Sequence, residues 1–523
     1  MSQTHTTPLT FVLLTAAIAL LLAAAAPASA ATRCAEPGPG ETWHRVAPRK
    51  AGMDAVKLQN AIDYGTQNAS LAIRVYRNGC RVGADRLAVV NEHLPFESWS
   101  LAKSVTSLIF GRAMSLGLIS PDDPLGSLVP EADLEHGRIT LRDLLTATSG
   151  LHWNGLRDYN VFMPNRLQEA LTVGIAHPPG SYWEYSQSGP ALVAEATERA
   201  VGADFQDFAQ AELFGRLGIG RGSWSWARDG TGHTQGFFGL RMRPDDYARL
   251  GELMRRGGVW RGERLLSRRF VRLALRPSPQ NGCYGFLIWL NASKPCVGPR
   301  IVDRPVGEGF RSPGLPHDSF QYEGLLGQLV TVFPSQGIVV VRVGADLALA
   351  GGSTWEDEMH RRILASITGE PGALPPPRPD SNSVSRADVD HGFVESLGRP
   401  MEILEGELPP PLPPAGPDRA RALQLLSAKR SGRRKVSVGV ACPPAWHTAP
   451  GRCIGVARMT GAGRAHYRIP KSATGTLSFT LRPGPARRLE RRGRLAVRVT
   501  ARNRDHHQGT KATRSFKVAS VRN

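Results

Sequence analysis

Glu97-Ser98-Trp99-Ser100-Leu101-Ala102-Lys103-Ser104-Val105-Thr106-Ser107-Leu108 is the stretch on which the reading of this chain turns. Helical spacing from Ser100 to about Leu116, with a stop at Gly117, predicts an amphipathic helix. A serine three residues ahead of a lysine then stands on one helical face, a single turn away. From there an amine can take the hydroxyl proton and make the oxygen a nucleophile. The same residues also read as an ordinary helix start capped by Ser98 or Ser100. The spacing alone does not choose between these readings.

Working outward, residues 54–67 read as a helix, and 71–76 with 79–90 as a hairpin turning at Asn78-Gly79. Helical patterns recur at 140–145, 190–200, 244–256 and 355–367, and strand patterns at 284–290, 329–333 and 338–343. Strands at both ends of this span, with helices between them, predict one antiparallel sheet assembled from the two ends. With 523 residues and 41% hydrophobic content, two or three domains with real cores are expected.

Residues 9–26 are an apolar run followed by Pro27-Ala28-Ser29-Ala30-Ala31, which predicts a signal peptide over 1–30 cleaved after Ala30. The segment ahead of the run has no Lys or Arg, so an uncleaved anchor is its other reading. The expected domains are a body over 31–369, a Pro-rich linker over 370–424 and a small all-β sandwich over 425–523. Prolines such as Pro375-Pro376-Pro377 mark the linker, and short alternating segments at even spacing mark the sandwich.

The six cysteines form three sequence-local pairs: Cys34 with Cys80, Cys283 with Cys296, and Cys442 with Cys453. In an exported chain three disulfides are the natural reading, with the connectivity open. No Cys-x-x-Cys occurs and no histidine pair has ligand spacing near the cysteines, so no metal is expected. Neither a phosphate-binding glycine loop nor a dinucleotide fingerprint is present, and no cofactor is expected.

Charge divides the chain. Residues 421–523 carry 24 Lys and Arg against two acids, Glu490 and Asp505, while the whole chain carries +20. The body is therefore near neutral and the last module strongly basic. In an exported protein such a module suits wall phosphates, acidic polysaccharides or anionic lipid headgroups. Nucleic acid fits less well, because few aromatics interleave with the cations.

Four further segments weigh on Ser100. They are Ile139-Thr140-Leu141-Arg142-Asp143-Leu144-Leu145-Thr146-Ala147-Thr148-Ser149-Gly150-Leu151 and Pro179-Gly180-Ser181-Tyr182-Trp183-Glu184-Tyr185-Ser186-Gln187-Ser188-Gly189. Then come Gly239-Leu240-Arg241-Met242-Arg243-Pro244-Asp245-Asp246-Tyr247-Ala248-Arg249-Leu250-Gly251 and Gly324-Leu325-Leu326-Gly327-Gln328, which leads into Val339-Val340-Val341-Arg342. In this order and spacing, residues 45–368 resemble the serine β-lactamase-related family. The likeness is strongest to the branch of class C β-lactamases, D-amino-acid peptidases, family VIII esterases and 6-aminohexanoate-dimer hydrolases. It implies an α+β fold, the β-lactamase/DD-peptidase fold: an antiparallel sheet flanked by helices, with a helical subdomain. It also implies an acyl-enzyme on Ser100, with Lys103 as base and Tyr185 as proton shuttle. The oxyanion donors would be the backbone N–H groups of Ser100 and of Leu325, beside Gly324. The basic module in turn resembles the immunoglobulin-like modules appended to exported bacterial proteins.

Two departures bear on substrate. Tyr322, followed by Glu323, stands where the family carries a lysine, and Gln187 stands where it usually carries asparagine. Both favour an ester or amide without an essential carboxylate, such as one bearing an amine near Glu323. Trp153, Tyr159 and Tyr182 are candidates to line the acyl pocket. His152, His177 and His233 are isolated in sequence, with no acid at a spacing that suggests a triad. The expected function is an exported serine hydrolase acting on a small-molecule or short-peptide ester or amide. The rival is a catalytically weak cell-surface binding protein, held to wall or membrane polyanions by residues 421–523.

Overall fold

The computed structural model describes residues 31–158, 160, 162–299, 306–307, 309–345, 355–369, 424–430, 434–441, 452–470, 474–492, 494–503 and 511–519. The expected signal peptide, the linker as far as residue 423, Tyr159 and Cys442 lie outside these. Two disulfides join Cys34 to Cys80 and Cys283 to Cys296.

Helix α1 (Ala55–Gln67) starts where the Asp54 carboxylate accepts the Val56 and Lys57 N–H groups. Strands β1 (Ser70–Arg77) and β2 (Cys80–Ala84) follow, joined through Asn78 at φ 49 and Gly79 at φ 81. Both turn residues are left-handed, which matches the twist of a tight hairpin. Four strands from far along the chain complete the sheet: β3 (Trp289–Leu290), β4 (Phe320–Gly324), β5 (Gln328–Phe333) and β6 (Ile338–Gly344). The order is β2-β1-β6-β5-β4-β3, antiparallel throughout, with Val75 opposite Val340. The two ends of the body meet at the β1–β6 pair, as the strand pattern predicts.

Alternation along the strands sorts the core into two layers. Ile73, Val75, Ile338 and Val340 pack with Leu58 and Ile62 of α1 and with Met359 and Ile363 of a C-terminal helix, Trp355–Leu364. Ala72, Tyr76, Val339 and Val341 face the larger core built around α2 (Leu101–Ser115), α3 (Ser188–Val201) and α4 (Pro244–Arg255).

Helix α2 departs from expectation: every residue from Leu101 to Ala113 is buried, so it is central rather than amphipathic. Two of its polar residues mislead because their hydroxyls are satisfied inside the protein. Ser104 donates to the Leu287 carbonyl at 2.6 Å and Thr106 to that of Gly236 at 2.8 Å.

Two other expectations are corrected. The strand expected over 79–90 stops at Ala84, and a short helix, Ala88–Asn91, replaces its second half. Arg74 on β1 is fully buried, and Asp85 and Asn91 turn in to bind its guanidinium. The strand expected over 284–290 shrinks to Trp289–Leu290, because Leu287 is left-handed at φ 55 and the chain folds tightly around it. The basic module forms the expected pair of sheets, with one helix added. Strands β7 (Gln424–Arg430), β8 (Lys435–Ala441) and β11 (Thr474–Thr480) form one sheet, in the order β7-β8-β11. Strands β9 (Arg452–Met459), β10 (Arg464–Pro470), β12 (Arg494–Asn503) and β13 (Lys511–Ala519) form the other, in the order β10-β9-β12-β13. A helix, Pro483–Arg492, adds Ala486 and Leu489 to the core between the sheets.

Gly251 shows how closely α4 lies on the sheet. A Cβ there would stand 2.7 Å from Val330 Cγ1 and 3.0 Å from Val339 Cγ1. Gly251→Leu is expected to destabilise the body by about 1–3 kcal/mol through overpacking. The urea midpoint followed by tryptophan fluorescence checks this, and an unchanged midpoint contradicts the packing described.

Candidate active site

The site is built around the turn that starts α2. Trp99, at φ 48, is a bulky residue in the left-handed region, a strained conformation held by its neighbours. The Ser98 N–H donates to the Leu240 carbonyl at 2.8 Å, and the Trp99 N–H donates to Glu97 Oε1 at 3.2 Å. The Tyr247 hydroxyl ties the Phe96 and Leu240 carbonyls together from beneath, at 3.0 and 3.2 Å. The end of β4 runs directly against this turn. A Cβ on Gly324 would lie 2.0 Å from the Ser98 carbonyl oxygen and 3.1 Å from the Leu101 nitrogen, so only glycine fits. The backbone of Gly324-Leu325 is thereby brought beside the start of α2.

Ser100 is the N-cap residue of α2, yet its side chain makes no capping bond. Its Oγ lies instead 2.9 Å from Lys103 Nζ. Lys103 is 2% exposed, with the Phe237 carbonyl 3.5 Å from its amine and the centroid of the Tyr185 ring 4.5 Å away. Burial pushes the Lys103 pKa well below the usual lysine range; Asp158 opposes the shift and Arg166 adds to it. Tyr185 is buried and hydrogen-bonded to Ser100, with Trp289 stacked beside it at 6.1 Å. Burial raises its pKa well above the ordinary phenol range, and the Ser100 hydrogen bond only partly offsets this. A hydroxyl, an amine favoured in its neutral form and a phenol kept protonated therefore lie together, an arrangement through which a proton could be relayed.

Behind the relay lies a buried ionic cluster. Arg157 contacts Asp158 at 2.8 Å and Glu169 at 2.7 Å, and Arg166 contacts Glu169 at 3.2 Å. The Gln187 N–H, at the start of α3, donates to Asp158 Oδ1 at 3.3 Å. Gln187 is buried, and among the described residues its Oε1 has no hydrogen-bond partner. Trp153 is half-buried on the loop leading into this cluster, and Tyr182 stacks on His177 at 4.0 Å.

The structure corrects the reading of Tyr322 and Glu323, just ahead of the Gly324 segment. Tyr322 is fully buried on the core face of β4 and its hydroxyl reaches the Leu250 carbonyl at 3.4 Å, so it does not face a substrate. One residue on, strand alternation turns Glu323 to the other face, where Arg311 Nη2 donates to both carboxylate oxygens, at 2.7 and 2.6 Å. The Arg311 guanidinium also lies 3.9 Å over the Trp289 ring. Both charges reach the Tyr185 phenol, Glu323 raising its pKa and Arg311 lowering it. Glu323 is thus already matched by a cation, which weakens the case for an amine-bearing substrate there.

Sequence reading missed Arg311, Trp289, Asp158 and Arg166. Only the aromatic density of Tyr284 to Trp289 offered a signal, since Arg311 stands in a loop with no pattern linking it to β4. His233 is not isolated either: Asp229 lies 3.4 Å from its Nδ1 and Glu195 3.6 Å from its Nε2.

Comparison with known proteins agrees with this architecture. The sequence pattern of the family described as Beta-lactamase matches residues 58–349, and the chain belongs to that family. A monacolin J acid methylbutanoyltransferase from Aspergillus terreus is 27% identical over 189 residues, which are 31% of this chain and 42% of that protein. The chain thus spans less than half the length of the curated relative it matches. Among solved structures, a candidate 6-aminohexanoate-dimer hydrolase from Bacillus anthracis is 18% identical with a TM-score of 0.46, covering 65% of this chain and 88% of that one. A candidate β-lactamase from Bacteroides dorei is 17% identical with a TM-score of 0.48, covering 60% and 99%.

The buried amine makes a stability prediction. Unfolded, Lys103 keeps its proton up to the ordinary lysine range near about 10.4; folded, it gives it up well below that. The folded chain therefore carries a penalty that is full at low pH and fades as pH rises toward that range. Lys103→Met is expected to stabilise the body by about 1 kcal/mol or more at about pH 7, with the gain shrinking toward about pH 10. Thermal unfolding of both proteins across pH tests this. A methionine variant less stable at every pH would contradict it.

Proposed function

We propose that the chain is an exported hydrolase that cleaves an ester or amide through an acyl-enzyme on Ser100. The observation that carries this is the 2.9 Å approach of Ser100 Oγ to an amine stripped of water. Neutral Lys103 takes the Ser100 proton as Oγ bonds to the substrate carbonyl carbon. The oxyanion is held by the backbone N–H groups of Ser100 and Leu325, a role supported by the contact of Gly324 with the α2 turn. Tyr185, kept protonated, passes a proton to the leaving oxygen or nitrogen as that bond breaks. Lys103 then hands the Ser100 proton to the Tyr185 oxygen, which resets both groups. Water next attacks the acyl carbon and gives up a proton to the same groups, and as the bond from the acyl carbon to Oγ breaks a proton passes back to Ser100.

An alcohol in place of water would complete an acyl transfer from the same intermediate. The printed name of the Aspergillus relative, a methylbutanoyltransferase, is in keeping with that outcome. The unsatisfied Gln187 Oε1 suits a substrate that offers a hydrogen-bond donor. With Arg311 committed to Glu323, a substrate without a carboxylate is favoured over a β-lactam. Export is supported by the Cys34–Cys80 and Cys283–Cys296 disulfides, and no helix among the described residues is long and apolar enough to cross a membrane.

A fluorophosphonate probe is expected to label the wild type and not Ser100→Ala. Tyr185→Phe is expected to lower kcat on a nitrophenyl ester about 10²–10⁴-fold. Turnover should rise with pH as Lys103 loses its proton, then hold level up to the ordinary phenol range of about 10, because Tyr185 stays protonated. A wild type that is neither labelled nor active on short esters and amides would leave the binding-protein reading standing. A separate expectation is that a cephalosporin is turned over far more slowly than the ester; equal rates would refute the substrate assignment.

A further inference from the structure

The outer sheet of the basic module concentrates charge on one face. In the sheet β10-β9-β12-β13, the register puts Arg458 opposite both Arg464 and Thr500, Val456 opposite Arg502, and Arg502 opposite Lys511. Directly opposed residues share a face, so these positions belong to a single alternation that spans four strands. Nine of its eighteen positions are Lys or Arg and none is Asp or Glu. Arg458, Arg464 and Arg498 are exposed, while Ala457, Met459 and Val499 of the opposite alternation are buried in the core.

Such a face costs stability. Like charges directly opposite each other in a sheet are destabilising, and here the exposed Arg458 stands opposite the exposed Arg464. The four strands contain no acid that could relieve them. An external anion of matching spacing would relieve them.

We propose that this sheet face binds a linear polymer of phosphates. Alternate residues along a strand stand about 6.8 Å apart and neighbouring strands about 4.8 Å, so the cations form a grid wider than any single small anion. A chain of repeated charges can engage many points of such a grid, and its affinity grows with each counterion released. Arginines opposed across a strand pair can grip one phosphate from two sides through their planar forks. The alternation offers a single aromatic ring, His466, too little for the stacking that single-stranded nucleic acid uses. No large apolar side chain is exposed among those described in the module, so nothing there is suited to enter a lipid layer.

The test uses the full chain and immobilised long-chain inorganic polyphosphate, with salt varied between about 50 and 200 mM. The triple variant Arg458→Ala/Arg464→Ala/Arg498→Ala is expected to bind about tenfold or more weakly, with a salt slope shallower by about 2. A matched variant, Arg482→Ala/Arg487→Ala/Arg488→Ala, removes the same charge from exposed positions at the helix Pro483–Arg492 and should stay within about threefold of wild type. Circular dichroism and the thermal midpoint confirm that both variants fold, and Arg458→Gln/Arg464→Gln serves if the first does not. Equal losses in the two triple variants would mean net charge rather than this face, and overturn the proposal. So would absent polyphosphate binding in the wild type, or tighter binding to oligo-dT or to phosphatidylglycerol vesicles. Hydrolase activity is read in parallel on a nitrophenyl ester and should be the same in all variants.

Discussion

Stripping water from a lysine amine is costly, and the body of this protein is organised so that Lys103 has no alternative. Helix α2 is enclosed along almost its whole length by the sheet, by α3 and by the loop through Gly236 and Phe237. The amine cannot swing to solvent, and a proton on it would be poorly solvated. Its nearest partner is therefore Ser100, whose hydroxyl is left free because it makes no capping bond. The strained Trp99, the Tyr247 hydroxyl beneath the turn and the glycine at the end of β4 all follow from holding that one contact in place.

Arginine does much of the remaining internal work. Arg74, Arg166, Arg311 and Arg342 are among the largest fully buried side chains. Each is held by carboxylates or carbonyls: Arg342 by the Leu326 and Gly327 carbonyls at 2.6 and 2.8 Å, Arg311 by Glu323. A planar, always-charged guanidinium can bind several backbone oxygens at once, which a lysine cannot do as well. Arginine thus serves the core as well as the surface. In the module the same residue type stands in rows without acids, and the two uses differ only in whether the protein supplies the counter-charge.

How much could be read beforehand depends on the range of the interaction. The Asn78-Gly79 turn, the start of α1 and the two-ended sheet follow from local preference and alternation. The contact of Ser100 with Lys103 follows from helical spacing within one turn. Tyr185 was reachable only through its motif, because nothing local ties it to Ser100. The short helix after Ala84 was misread because its cause, the buried Arg74, acts across the sheet through Asp85 and Asn91. Tyr322 was misread because motif position says nothing about which face of a strand a side chain takes.

The sequence by itself determined the serine and lysine on one helix, the family, the split between a neutral body and a basic module, and the cysteines available for bridging. Tertiary structure decided which charges surround the relay. Arg311, Asp158 and Arg166 converge on Tyr185 and Lys103 from loops and helices far apart in the chain. The physical reason is that desolvation and Coulomb interaction depend on distance through space and on exclusion of water, and local pattern records neither.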